Sequence, residues 1–130
     1  MKQNRTEKQR VGDIGEDIYE KQIVKRGYNI ALRNYRKPWG EIDIIAEKDG
    51  VLHFIEVKTV GHPFYETGDG YAPEDNVHPW KLKRLSKAIQ TYLMEKDIDD
   101  DKVWQVDVAA VFLDFEQKTA TIRETFDIGL

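Results

Sequence analysis

Two apolar, β-rich segments, Ile42–Lys48 and Val51–Thr59, are joined by Asp49-Gly50, and this dipeptide constrains the chain more than any other feature. A two-residue hairpin turn needs positive φ at its centre, and Gly, Asn and Asp enter that region at the lowest cost. The same turn fixes the register of the strands it joins. Lys48 is expected to pair with Val51, Ala46 with His53, Ile44 with Ile55, and Asp43 with Glu56. Directly opposed residues have Cβ atoms roughly 4.5–5.5 Å apart, which puts the two carboxylates side by side on one face. Lys58 follows Glu56 by two residues and projects from that same face.

Opposed carboxylates repel, so this pairing calls for compensation. A divalent cation is the natural source, because Mg²⁺ takes hard oxygen ligands from one or two carboxylates together with phosphate and water. With Lys58 adjacent, the set suits phosphodiester hydrolysis: metal-assisted activation of water, with the ammonium orienting the nucleophile or stabilising developing charge. The competing structural reading is a solvent-facing strand with an Asp43–Lys58 salt bridge. Glu-x-Lys carries little by itself. With 11 Glu and 13 Lys in the chain, chance yields about one copy. A second stands at Glu116-Gln117-Lys118 in a predicted turn and is given no role.

Around the hairpin the periodicity predicts a helix over Val11–Arg26, with Val11, Ile14, Ile18 and Ile23 on its apolar side and Gly27 as its stop. A strand follows over Tyr28–Tyr35. Val60–Asn76 reads as a long loop, and a second helix begins near Pro79, a good first-turn residue, with Leu82, Leu85, Ile89, Tyr92 and Leu93 facing a core. The acidic run Asp97–Asp101 ends it. Strands over Val103–Leu113 and Thr119–Phe126 complete the order α-β-β-β-α-β-β, an α/β domain on a mixed sheet. There is no repeat or linker, so residues 1–130 read as one domain with a basic arm at 1–10. Without Cys there is neither a disulfide frame nor a thiolate zinc site, which fits a reducing, cytoplasmic setting. Met1–Arg10 is not a secretory signal and no apolar run is long enough for a membrane span, so no membrane partner is expected.

The net charge of −4 argues at first against a nucleic-acid partner, but its distribution does not. Residues 1–48 hold 11 Lys/Arg against 8 Asp/Glu, and residues 49–130 hold 9 against 16. Positive charge gathers at Lys2–Arg10, at Arg33, Arg36 and Lys37, and at Lys81, Lys83, Arg84 and Lys87. Phosphate binding needs a local positive face rather than a basic average. Trp39, Trp80 and Trp104 could each stack on a base. The strand position of Trp104 fits a core role, while Trp39 and Trp80 stay open. His53 shares a face with Ile55 and Val57 and reads as a satisfied core histidine, and neither His62 nor His78 forms a zinc motif.

Gly12-Asp-Ile-Gly15-Glu16, Arg33-Asn34-Tyr35-Arg36, Gly40-Glu41-Ile42-Asp43-Ile44-Ile45-Ala46 and Phe54-Ile-Glu56-Val-Lys58-Thr59 stand in the chain in that order. They resemble the successive motifs of the YraN-like family, bacterial proteins with a restriction-endonuclease-like, PD-(D/E)xK fold related to archaeal Holliday-junction resolvases. Pro73–Val77 with Lys81, Arg84 and Leu85 resembles its next block, and Val106-Asp107-Val108 its late strand, so the likeness runs from Gly12 to about Val111. The resemblance implies an α-β-β-β-α-β core with a mixed sheet flanked by helices. It implies Asp43, Glu56 and Lys58 as a catalytic triad, with Asp43 and Glu56 on Mg²⁺ or Mn²⁺ and Glu16 as an added metal or water ligand. Lys81 would contact substrate phosphate or the site itself, and with Arg84 and Arg36 it is the expected nucleic-acid contact. Glu41 shares the face of Asp43 and reads as a strand-edge charge.

The resulting expectation is a metal-dependent nuclease acting on DNA, branched and damaged forms included, with a homodimer as a compatible assembly. The alternatives are a non-catalytic nucleic-acid-binding module on the same fold and an acidic protein-interaction domain. Two positions depart from the family pattern: Val60 stands where an Arg is common, and Tyr19 where a small residue is usual. The segment holding Glu66, Asp69, Glu74 and Asp75 is acidic and could repel a nucleic acid or cover the site.

Overall fold

The computed structural model describes residues 5–63 and 78–130. The acidic segment around Glu66–Asp75, the Pro73–Val77 motif and the first four residues of the basic arm therefore lie outside the described residues.

The Asp49-Gly50 turn forms with both φ values positive, 51° and 80°. It joins β2 (Gly40–Lys48) to β3 (Val51–Val60) in the expected register, from Lys48↔Val51 to Ile44↔Ile55. The element order is α1 (Glu7–Lys25), β1 (Asn29–Lys37), β2, β3, α2 (Pro79–Glu95), β4 (Trp104–Asp114) and β5 (Thr119–Thr125). The strands form one sheet in the order β1-β2-β3-β4-β5. β3 and β4 are parallel, with α2 in the connection between them, and the other pairs are antiparallel. This is the mixed-sheet α/β fold of a restriction-endonuclease-like core.

Helix α1 starts four residues earlier than its apolar stripe suggests, because Thr6 and Gln9 form a capping box. The Gln9 N–H donates to Thr6 Oγ1 at 3.1 Å and the Thr6 N–H to Gln9 Oε1 at 2.9 Å. Gly27, at φ 92°, ends it. In α2, Pro79 occupies the first turn, and His78 Nδ1 accepts from the Trp80 N–H at 3.1 Å.

The helices cover opposite faces of the sheet. Leu85, Ala88, Ile89 and Tyr92 of α2 pack with Leu52, Phe54 and Val106, while Tyr19 and Ile23 of α1 pack with Ile55, Val57, Ala109 and Val111. Phe54 and Ile55 are neighbours on β3, so each face takes alternate residues of that strand. Trp104 meets Phe54 edge to face at 5.6 Å, as its strand position suggests. His53 is buried, with Nδ1 2.7 Å from Asp107 Oδ2. Asp107 also accepts from Gln105 and from the Asp127 N–H, tying the chain's end to the start of β4. Tyr19 fills a buried position and donates to Glu124 of β5 at 2.6 Å, so its bulk bridges α1 to the sheet edge.

Two glycines set how closely the helices approach. A Cβ on Gly15 of α1 would fall 1.9 Å from Thr59 Oγ1, and one on Gly40 of β2 would fall 2.0 Å from the Arg84 carbonyl oxygen of α2. The second obstacle is backbone and cannot rotate away. Gly40→Ala should therefore lose stability on the scale of overpacking, about 1–3 kcal/mol. Gly12→Ala is the contrast: a Cβ there meets nothing within 4 Å, and Ala is the better helix former. Urea unfolding should show a lower midpoint for Gly40→Ala and an equal or higher one for Gly12→Ala. A Gly40→Ala midpoint equal to wild type would mean that the helix is not held that close.

Candidate active site

The antiparallel ladder between β2 and β3 stops one step before the acidic pair. Asp43 Oδ2 accepts the Val57 N–H at 2.8 Å, so a side chain takes a bond that the β2 backbone would otherwise supply. The break reverses the alternation of β2: Ile44 lies in the α1-side cluster and Ile42 in the α2-side cluster. Asp43 and Glu56 still meet. Burial pushes the Asp43 carboxyl well above the usual carboxylate range, the neighbouring Glu56 charge pushes it further, and the Val57 N–H acts the other way.

Glu56 is only 3% exposed on the central strand. Its counter-charge comes from the first turn of α2, where Lys81 Nζ stands 2.5 Å from Glu56 Oε1. Burial disfavours the Lys81 ammonium, but the Glu56 charge and hydrogen bond outweigh it and hold the Lys81 pKa up. Lys58 is half-buried. Desolvation lowers its pKa, and the Lys81 and Lys8 charges lower it further. Among the described residues no ion pair joins Lys58 to Asp43, the contact that the solvent-facing reading of the strand requires.

Glu16 approaches from α1. Arg33 on β1 holds it at 3.2 Å and also reaches Asp17 and Glu20 at 3.3 and 3.2 Å. Burial first, and then the Asp43 charge, push Glu16 up to about 7 against the pull of Arg33. Arg36 pairs across the β1–β2 hairpin with Glu41 at 3.4 Å.

Three clefts surround the carboxyl groups. One of about 480 Å³ is lined by Lys8, Gly12, Glu56, Lys58, Thr59 and Lys81, among others. The second, about 300 Å³, is lined by Glu41, Glu56, Trp80, Lys81, Arg84 and Leu85. The third, about 270 Å³, takes in Arg5, Asp13, Glu16, Arg36, Glu41 and Asp43. Asp43, Glu56, Lys58, Glu16, Lys81, Arg84 and Arg36 each line at least one of these three clefts. Among the described residues no three His, Cys, Asp or Glu side chains are grouped closely enough to hold one metal ion. Asp43 and Glu56 stand as a pair, with Glu16 turned toward Arg33.

The matching family model, described as the uncharacterised protein family UPF0102, covers residues 15–111. The chain belongs to the UPF0102 family. A UPF0102 protein of Corynebacterium efficiens is 37% identical over 111 residues, covering 85% of this chain and 84% of that protein. One from Persephonella marina is 39% identical over 92 residues, 71% of this chain and 75% of that protein. One from Wolinella succinogenes is 49% identical over 72 residues, 55% of this chain and 59% of that protein. The span matched by the family model takes in Glu16, Arg33, Asp43, Glu56, Lys58, Lys81 and Arg84. Within this UPF0102 chain, Arg33 was read only as part of a basic cluster and a motif, and its pairing with Glu16, Asp17 and Glu20 was not foreseen. The spacing of Glu16 and Glu20, one helical turn apart opposite a strand arginine, was the available signal.

The raised Glu16 pKa has a consequence for stability. The folded state binds this proton more tightly than the unfolded state, so the stabilisation is complete below pH 4.5 and is lost as pH rises to about 7. The span corresponds to about 3 kcal/mol at most. Glu16→Gln keeps the shape without the titration. Its stability relative to wild type should improve by about 2–3 kcal/mol between pH 4.5 and 7.5 in urea unfolding. A difference that stays constant over that range would place Glu16 in solvent.

Proposed function

We propose that this chain is a metal-dependent nuclease that hydrolyses phosphodiester bonds in DNA. The observation that carries the reading is the pair Asp43 and Glu56, brought together midway along the central strand β3 with Lys58 and Lys81 beside it and open clefts on each side. The donor set fits Mg²⁺ or Mn²⁺. It offers only hard carboxylate oxygens, two of its groups form a pair, and their mutual repulsion is what a divalent cation relieves. Such an ion, when bound, would acidify a water and neutralise charge on the phosphate.

The protein's own groups divide the remaining work. The Val57 N–H fixes the direction of the Asp43 carboxylate. Lys81 holds Glu56 and is half exposed, so it can turn toward a substrate phosphate. Glu16, titrating at about 7, is suited to accept a proton from water near neutral pH and fills the water-ligand role. Lys58 has a half-buried ammonium that no described carboxylate holds in an ion pair, which suits it to charge that develops only in the transition state. A non-catalytic DNA-binding module is favoured by one observation, that Lys81 already neutralises Glu56.

Calorimetric titration with Mn²⁺ should give binding to wild type that Asp43→Asn loses, and equal binding by both proteins would remove Asp43 from the metal site. Single-turnover cleavage separates the two functional readings. Lys58→Ala should slow cleavage by about two to three orders of magnitude, the scale of removing one electrostatic stabiliser. Affinity measured in Ca²⁺ should change little, because the interaction strengthens as charge develops. Wild type that binds a panel of linear, nicked and branched DNAs and cuts none would establish the binding module instead.

A further inference from the structure

Trp80, Arg84, Lys87 and Thr91 follow one another at intervals of four, three and four residues, so they form a single stripe along α2. Trp80 is 63% exposed, and the Arg84 guanidinium lies 5.1 Å from its ring centre. At the far end Trp39 arrives from the β1–β2 turn. It donates from Nε1 to Thr91 Oγ1 at 2.8 Å and leaves 43% of its surface exposed. The stripe therefore begins and ends on an accessible indole, with Arg84 and Lys87 between. Eleven steps along the helix, from Trp80 to Thr91, make it about 16 Å long. Its first member also lines the cleft that contains Glu56 and Lys81.

Burying indoles stabilises a protein, so two left open on one stripe suggest a surface that meets something flat and apolar. The charges decide what. Helix α2 carries Lys81, Lys83, Arg84 and Lys87 against the single acid Glu95, in a chain whose net charge is −4. Aromatic faces interleaved with cations match unpaired bases interleaved with phosphates. A paired duplex keeps its base faces stacked inside and could use only the charges.

We propose that the outer face of α2 is a track for an unpaired stretch of DNA, with Trp80 and Trp39 as stacking platforms and Arg84 and Lys87 on the intervening phosphates. The substrate class is then DNA with a single-stranded segment beside the cleavage point, such as a tail, flap or opened junction arm. This deepens the nuclease reading and rests on it for the position of the cleavage point alone.

The test compares dye-labelled blunt duplex with the same duplex bearing an unpaired thymine tail, by anisotropy in Ca²⁺. Wild type should prefer the tailed DNA. Trp80→Ala and Trp39→Ala should each cut that preference by about tenfold, on the scale of one lost base–aromatic stack, and Trp80→Phe should keep most of it. In a Trp39→Phe background, an oligothymidylate should quench the fluorescence lost on Trp80→Ala. No preference in wild type, or a preference that neither alanine variant alters, overturns the track. Cleavage is read separately with Asp43→Asn as the blank. A protein that cuts DNA but ignores the tail retires only the track, and one that prefers the tail through its tryptophans but never cuts retires only the nuclease.

Discussion

Glu56 sits inside a hydrophobic sheet, where an uncompensated carboxylate would cost several kcal/mol. Its ion pair with Lys81 is the contact on which the surrounding structure depends. For Lys81 to reach, the first turn of α2 must lie close against β2 and β3. That approach is possible because β2 presents Gly40 where a side chain would strike the helix backbone. The hydrophobic packing of Leu85, Ala88 and Ile89 then fixes the helix at that distance. Position along the chain follows as well, since α2 lies in the connection between the parallel strands β3 and β4 and starts with the turn that reaches Glu56.

The other face is arranged by the same logic. Gly15 lets α1 close onto Thr59, one residue beyond Lys58, and this brings the next α1 residue, Glu16, toward Asp43. Arg33 offsets the acids of α1, yet burial, and then the neighbouring carboxylate charges, still push Asp43 and Glu16 upward. A fold selected for stability alone would place apolar side chains at these positions. Unfavourable charge held in place by two tight helix contacts is the pattern of a functional site, where local consistency is given up for chemistry.

What the sequence revealed follows from which constraints are local. The Asp49-Gly50 turn is local, and the β2–β3 register down to Ile44↔Ile55 came directly from it. Helix α2 was legible because Pro79 and its apolar stripe are local too. The start of α1 was misplaced because the stripe alone set it at Val11 and the Thr6–Gln9 capping box went unread. Beyond Ile44 the prediction fails for a different reason. Simple alternation opposes Asp43 and Glu56 across an intact ladder, whereas Asp43 leaves the ladder to accept the Val57 N–H. The carboxylates converge all the same, but through a side-chain bond that no periodicity encodes. Arg33, Lys81 on Glu56, and the Asp107 network that anchors Asp127 are contacts between elements distant in sequence. They depend on how the helices lie on the sheet, which patterning leaves open.

The acidity of the chain and the basic face of α2 belong to one electrostatic argument. A uniformly basic protein attracts any polyanion, and its affinity then says little about which structure it holds. Here residues 49–130 carry 16 acids against 9 bases, yet four of those bases lie within α2. The acids of this half repel a polyanion, and nearly half of its bases gather on a surface that also bears Trp80 and adjoins Glu56. On the proposed reading, an unpaired DNA strand gains most from this half of the chain where it can follow that helix. Discrimination would then come from repulsion as much as from contact, the way specific interfaces reject the wrong partner. The same acids that argue against a nucleic-acid partner when counted over the whole chain become, once placed, a means of choosing one.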